Sequence, residues 1–240
     1  MHRFFTEELA FGGRTVINGP DAGHIGRVLR LGPGDAVRLC NGRGMECDAV
    51  IERVDADACL LQAGAAFPSE TEPACRVTVV QCLPKGEKPE WIVQKCVELG
   101  AANIVFALSE RCVRQPSKND EKKLTRWQRV ADEAAKQSRR GVLPPVPGVI
   151  ALSALEPAAY GLCLVCYEEE TAVSLKAALR AHPGIGSAAL VIGPEGGFTP
   201  AEVAALTARG AVCVSLGKRI LRTETAGMAA LAELLYEVEL

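Results

Sequence analysis

Three stretches of the chain concentrate residue types that can do chemistry. The first is LVIGPEGGFTPAE at residues 190–202. A strand-like apolar run enters a turn with Gly193, Gly196 and Gly197, then leaves through Thr199 and Pro200, the N-cap and first position of a helix. Glycine lets backbone approach a ligand closely. The spacing excludes a P-loop, which needs Gly-Lys-Ser/Thr, and also G-x-G-x-x-G. A tight turn into a helix explains it equally well. The second stretch is VCVSLGKRILRTETA at residues 212–226. A strand ends at Leu216-Gly217, a cationic loop carries Lys218, Arg219 and Arg222, and a helix starts near Thr223 or Glu224. Ile220 and Leu221 are apolar in a polar loop, which suggests a pocket wall. The third is LVCYEEE at residues 164–170. Its acidic cluster suits the hydroxyls of a ribose or the first turn of a helix.

A fourth feature is electrostatic. Residues 111–140 hold ten basic and four acidic residues, a net of +6, in a chain whose formal charge is −2. They read either as a solvated helix with a buried Trp127 or as a surface for phosphates. The total charge argues against a nucleic-acid partner, but the distribution argues for one. His2, His24 and His182 share no metal-ligand spacing, and neither HExxH nor GxSxG occurs. Ten cysteines read as packing thiols. Cys163 and Cys166 lie three apart on a strand and face opposite ways, a poor metal pair.

Elements must position these loops. Residues 1–70 show short β-like runs (TVIN, AVRLCN, ECDAVIERV, ACLLQAG) separated by turn signals such as Asn41-Gly42, consistent with a small β-barrel or sandwich. A short helix is expected near Asp21–Leu31 with Asp21 as N-cap, and Pro68–Pro73 reads as a linker. From residue 75 strands and helices alternate. Strands are expected at 76–83, 104–108, 162–167, 188–192 and 212–216. Helices are expected at 89–99, 120–139, 173–181, 200–209 and 225–238. This pattern predicts an α/β fold with a parallel sheet, whose ligands bind beyond the carboxyl ends of the strands. The last helix has an apolar face of Met228, Leu231, Leu234 and Leu235. Apolar residues make up 48% and charged residues 23%, which excludes disorder. No apolar run reaches the ~18 residues that span a bilayer. Charges in MHRFFTEEL break any signal-peptide core, so a cytoplasmic protein is expected.

Taken together the motifs resemble the RsmE-type 16S ribosomal RNA (uracil-N3)-methyltransferases of the SPOUT superfamily. The matching stretches are Met1–Phe5, His24–Arg30, EKPEWIVQKCVELG at 87–100, ERCVR at 110–114, 126–140, IGPEGGF at 192–198 and LGKRILRTETA at 216–226. Departures are confined to His2, Cys96, Cys112 and Ala107. The resemblance implies a PUA-like RNA-binding β-barrel over residues 1–72. A SPOUT domain with a C-terminal trefoil knot would follow over 73–240, in a homodimer. It implies S-adenosylmethionine as cofactor, no metal, and a uridine of 16S rRNA or the small ribosomal subunit as substrate. The cofactor would meet Tyr167, Glu168, Ile192, Gly193, Pro194, Gly196, Gly197, Leu216, Gly217, Ile220, Leu221, Arg222, Thr225 and Ala226. Arg222 would stabilise charge on the deprotonated uracil. Glu195 and Glu224 are the candidate bases. Arg3, Arg27, Arg30, Arg111, Arg114, Arg126, Arg139 and Arg140 would hold RNA. Rival readings are a ribose 2′-O or guanine N1 specificity, and a non-catalytic RNA-binding module.

Overall fold

A computed structural model describes residues 1–113 and 120–239. Arg114 lies outside the described residues. The chain forms two compact units, one of residues 1–72 with 135–143, the other of residues 73–134 with 144–240.

The first unit is built on β1 (Arg3–Phe5), β2 (Arg14–Asn18), β3 (Ala36–Cys40), β4 (Met45–Val54), β5 (Ala58–Ala63) and β6 (Phe67–Pro68). Their order is β1-β3-β4-β5-β2, with β6 on β4. Only β1 with β3 is a parallel pair. Alternating burial along β2 and β3 sends Ile17, Val37 and Leu39 into a core shared with Phe4, Ile51 and Leu61, the period-2 pattern of a half-buried strand. Ala22 and Ile25 of the short helical segment α1 (Pro20–Gly23) and the π-turn His24–Val28 join that core. The N-cap of α1 is Gly19, not Asp21. Pro20 occupies the first turn, where its missing N–H costs nothing, and Asp21 falls inside it.

The expected linker at 68–73 is pinned at Thr71 and Glu72. Glu72 accepts hydrogen bonds from the Gly141 and Val142 N–H groups at 2.9 and 3.1 Å and pairs with Arg140 at 2.6 Å. Thr71 Oγ1 donates to the Arg139 carbonyl. A second ionic group joins Arg3 to Glu46 at 2.7 Å and Arg38 to both Glu46 and Asp48. Glu46 is buried and has both guanidinium groups as partners, the condition for keeping a charge in a core.

The second unit carries β7 (Arg76–Cys82), α2 (Lys88–Glu98), β8 (Asn103–Leu108), β9 (Val149–Ala151), β10 (Leu162–Cys166), α4 (Leu175–Ala181), β11 (Ser187–Ile192), α5 (Pro200–Thr207), β12 (Val212–Val214) and α6 (Thr223–Glu239). Helix α3 (Asp120–Gln137) begins within it. The sheet order is β12-β10-β11-β7-β8-β9, and every pairing is parallel. All five expected strands are present, together with β9, whose three residues are too short to show a pattern. Strand β10 is buried throughout, as a parallel strand covered on both faces must be.

Thr199 and Glu202 form a reciprocal capping box that fixes the start of α5. On α3 the buried residues Trp127, Ala131 and Ala134 recur at helical spacing, and the Trp127 ring packs at a tilt of 46° with its centroid 4.5 Å from that of Phe106. Arg126 and Arg129 lie on the exposed side. On α6, Leu231, Leu234 and Leu235 are buried within the chain, where the helix packs on β7, β11, α2 and α4. That apolar face is therefore core rather than a free surface.

Candidate cofactor cleft

Register places Val214, Cys166, Ile192 and Gln81 side by side across four strands. The loops after β12, β10, β11 and β7 therefore open on one sheet edge. The chain leaves β7 towards β8 and leaves β11 towards β12 on the other side, so the edge lies at a switch in winding direction, where a crevice forms.

A cavity of about 600 Å³ lies there, within the range of small-molecule sites. Its walls are Lys88, Cys166, Tyr167, Glu168, Ile192, Gly193, Pro194, Glu195, Gly196, Gly197, Ser215, Leu216, Gly217, Lys218, Arg219, Ile220, Leu221, Arg222, Thr223 and Ala226. The structure thus brings together every expected cofactor residue except Thr225. It also brings in Arg222 and Glu195, while Glu224 is not among the wall residues.

The acidic cluster divides its labour. Glu168 lines the cavity. Glu169 accepts the Tyr167 hydroxyl at 2.7 Å, which pushes the phenol up to about 12. Glu170 accepts the N–H groups of Ala172 and Val173 at 2.6 and 3.1 Å, which hold its carboxyl below the usual range.

The glycine-rich turn is tightly packed. Gly197 has φ +66°, and a Cβ there would run into the Glu168 carboxylate. Arg111 donates to the Gly196 carbonyl at 3.0 Å and steadies the same turn. Beneath it, the buried Gln81 donates from Nε2 to Thr223 Oγ1 at 2.8 Å, to the Cys82 carbonyl at 3.0 Å and to the Gly193 carbonyl at 3.4 Å. The Thr223 hydroxyl donates to the same Gly193 carbonyl at 2.5 Å. One amide thereby ties the end of β11 to the start of α6.

Sequence reasoning missed Gln81, Thr223 and Lys88 as functional residues. Gln81 had a signal, a polar residue inside the apolar run RVTVVQCL. Lys88 stands at the start of α2, 2.9 Å from Glu195 Oε1 and 3.1 Å from Glu224 Oε2. The latter is an ion pair without an aligned hydrogen bond.

The expected RNA contacts divide. Arg27, Arg30, Arg111, Arg126 and Arg139 are exposed, and Arg126 pairs with Glu90 at 2.7 Å. Arg3 and Arg140 are committed to ion pairs inside the first unit, and the Arg140 side chain is 3% exposed. All ten cysteines are free thiols and nine are buried. Burial pushes Cys163 up to about 11 and Cys166 to about 12.

The model of an RNA methyltransferase domain matches residues 71–235, and that of an RNA methyltransferase PUA domain matches residues 17–63. Ribosomal RNA small subunit methyltransferase E of Bacillus subtilis is 36% identical, over 100% of this chain and 98% of the relative. The protein of that name from Mycobacterium bovis is 38% identical over 92% and 85%. The crystal structure of ribosomal RNA small subunit methyltransferase E from Neisseria gonorrhoeae bound to S-adenosyl methionine is 30% identical. It superimposes with a TM-score of 0.86, covering 99% of this chain and 98% of that one. The chain belongs to the ribosomal RNA small subunit methyltransferase E family. Among the described residues no helix is long and apolar enough to cross a membrane.

Proposed function

We propose that this chain transfers a methyl group from S-adenosylmethionine to N3 of a uridine in 16S rRNA of the small ribosomal subunit. The observation that carries the reading is the strand-end cavity, in which the two motif loops and Glu168 share one wall set. The cleft suits the cofactor. Ile192, Leu216, Ile220 and Leu221 supply an apolar slot for an adenine ring, Glu168 an acceptor for ribose hydroxyls, and Gly193, Gly196, Gly197 and Gly217 allow close backbone approach. Thr225 and Ala226 lie in the first turn of α6, and Ala226 lines the cavity. When bound, S-adenosylmethionine supplies a methyl group already activated by a sulfonium.

The chain must then orient N3 and take its proton. N3 lies on the Watson–Crick edge, so the target base must be unpaired or flipped out. Arg222 is exposed on the cavity wall, placed to meet charge on the uracil ring. Arg27, Arg30, Arg111, Arg126 and Arg139 hold flanking RNA in this reading, as exposed cations suited to phosphates. Residues 1–72 act as the PUA-like RNA-binding domain and 73–240 as the SPOUT domain, with its C-terminal part tied in a trefoil knot. The molecule works as a cytoplasmic homodimer. The resemblance supports the dimer, and exposed Trp91 and Tyr236 lie on α2 and α6, two helices that pack on each other.

Incubating the protein and S-adenosylmethionine with small subunits from a strain lacking this activity, then mass-mapping the rRNA, tests the reading. N3-methyluridine is the expected product; a 2′-O-methylated nucleotide, a methylguanine or no product overturns it.

A further inference from the structure

Lys88 reaches the cavity from the start of α2, far in sequence from the loops that follow β10, β11 and β12. Its ammonium stands between two carboxylates of different standing. Glu195 lines the cavity and is anchored by the Lys85 N–H at 3.1 Å as well as by Lys88. Glu224 is absent from the wall, with a side chain 16% exposed. The wall thus presents a donor and an acceptor together, and Arg222 adds a second donor on the same cavity. The Watson–Crick edge of uracil reads acceptor, donor, acceptor through O4, N3–H and O2. Cytosine has no N3–H to give.

Resting on the reading that N3 of uridine is the target, we propose that Glu195 takes the N3 proton, that Lys88 holds an adjoining carbonyl oxygen, and that Glu224 is a positioning residue for Lys88. The N3–H bond breaks towards the Glu195 carboxylate, which becomes a carboxylic acid. The pair left on N3 forms the bond to the methyl carbon, and the carbon–sulfur pair departs on sulfur as a neutral thioether. Charge spreading onto O4 or O2 in that step meets the Lys88 ammonium. The second carboxylate then has a reason: once Glu195 is protonated, Glu224 still balances Lys88.

Ionisation supports the assignment. Burial opposes a charged Glu195, but the hydrogen bonds from Lys88 and from backbone N–H groups, including that of Lys85, hold its carboxyl below the usual range. The Glu195 hydrogen bond raises Lys88 against burial. Glu195 rests as a carboxylate, and it gains basicity as Lys88 turns to the uracil oxygen. The other charged groups facing this corner are Glu168, Lys218, Arg219 and Arg222 on the walls, Glu224 on α6 and Arg111 at Gly196.

Lys88→Met, Lys88→Arg, Glu224→Gln and Glu195→Gln in the full chain test this, with kcat, KM for small subunits, calorimetric binding of S-adenosylmethionine and the pH profile. Lys88→Met is expected to lose about 100-fold in kcat and keep cofactor affinity within about threefold. The acid limb of its pH profile should move upwards, because Glu195 loses its cation. Lys88→Arg should recover at least about tenfold of the loss, and Glu195→Gln should fall at least as far as Lys88→Met. Glu224→Gln should fall between native and Lys88→Met. The Lys88 side chain is 32% exposed, so methionine is accommodated, and Lys88→Gln provides a second variant. A Lys88→Met kcat near native, an unmoved acid limb, or loss of cofactor affinity in parallel with kcat each overturns the proposal. Native enzyme that makes no N3-methyluridine overturns the functional reading itself. Native product together with a fully active Lys88→Met overturns only this one.

Discussion

Replacing Thr223 by valine removes one oxygen and leaves the side chain's shape almost unchanged. That oxygen accepts from Gln81 Nε2 at 2.8 Å and donates to the Gly193 carbonyl at 2.5 Å, with Thr223 7% exposed. Each bond contributes about 1 kcal/mol net. The Gly193 carbonyl then keeps only the 3.4 Å contact with Gln81, and poor satisfaction of a part-buried acceptor adds up to about 1 kcal/mol. The total is about 2–3 kcal/mol. For a chain of this size 1 kcal/mol moves Tm by about 2–4 °C, so Thr223→Val should melt about 4–12 °C below the native protein. Thr223→Ser keeps the oxygen and loses one methyl group, about 0.8 kcal/mol. It should therefore lie clearly between the two. Scanning calorimetry of the three proteins measures this. Titration with S-adenosylmethionine should show about tenfold weaker binding for Thr223→Val, the equivalent of about 1.4 kcal/mol, because the Gly193 turn and the start of α6 lose their tie. A valine variant that melts with the native protein, or a serine variant as damaged as valine, refutes the reasoning.

Three further outcomes are expected. Gly197→Ala forces a side chain into a φ of +66° and against Glu168, costing about 1–2 kcal/mol in backbone alone; calorimetry should find cofactor affinity at least about tenfold lower, and native affinity would count against the cradle. Arg27→Ala and Arg30→Ala should each weaken RNA binding and flatten its dependence on log salt by about 0.7; a slope unchanged in both removes them from the RNA surface. The hydrogen bond from Cys82, opposed by burial and helped by Ser109, pulls the Cys112 thiol down to about 6, while burial pushes Cys96 and Cys166 up to about 12. The Cys112 thiolate fraction therefore grows as pH rises through about 6, and limiting iodoacetamide at pH 7 should label Cys112 before Cys96 or Cys166. Peptide mapping that finds Cys166 labelled first contradicts this.

What the sequence made legible was local. Apolar runs of five or more residues marked β8, β10 and β11, the valine-rich stretch at 77–80 marked β7, and Thr199 with Pro200 marked the start of α5, because these signals act within a few residues. The two motif loops could be placed on strand ends for the same reason. What escaped depended on distant partners. Lys88 finds Glu195 and Glu224 107 and 136 residues away. The cations at 3 and 140 look like the exposed ones at 27 and 30 until Glu46 and Glu72 are seen beside them. An apolar face on α6 reads the same whether it meets its own sheet or another copy. The acidic cluster at 168–170 could be resolved only residue by residue, since one loop gives each carboxylate a different neighbour.

The first unit is discontinuous along the chain. Residues 135–143 return to it after more than sixty residues spent in the second unit, and they bring Arg140, the buried partner of Glu72. A fragment ending at residue 72 would keep every strand of that sheet yet leave the Glu72 carboxylate without its cation and without the Gly141 and Val142 N–H groups. The unit therefore cannot be borrowed as a cassette by cutting the gene once. Recombination that transplants it intact must carry two separate stretches.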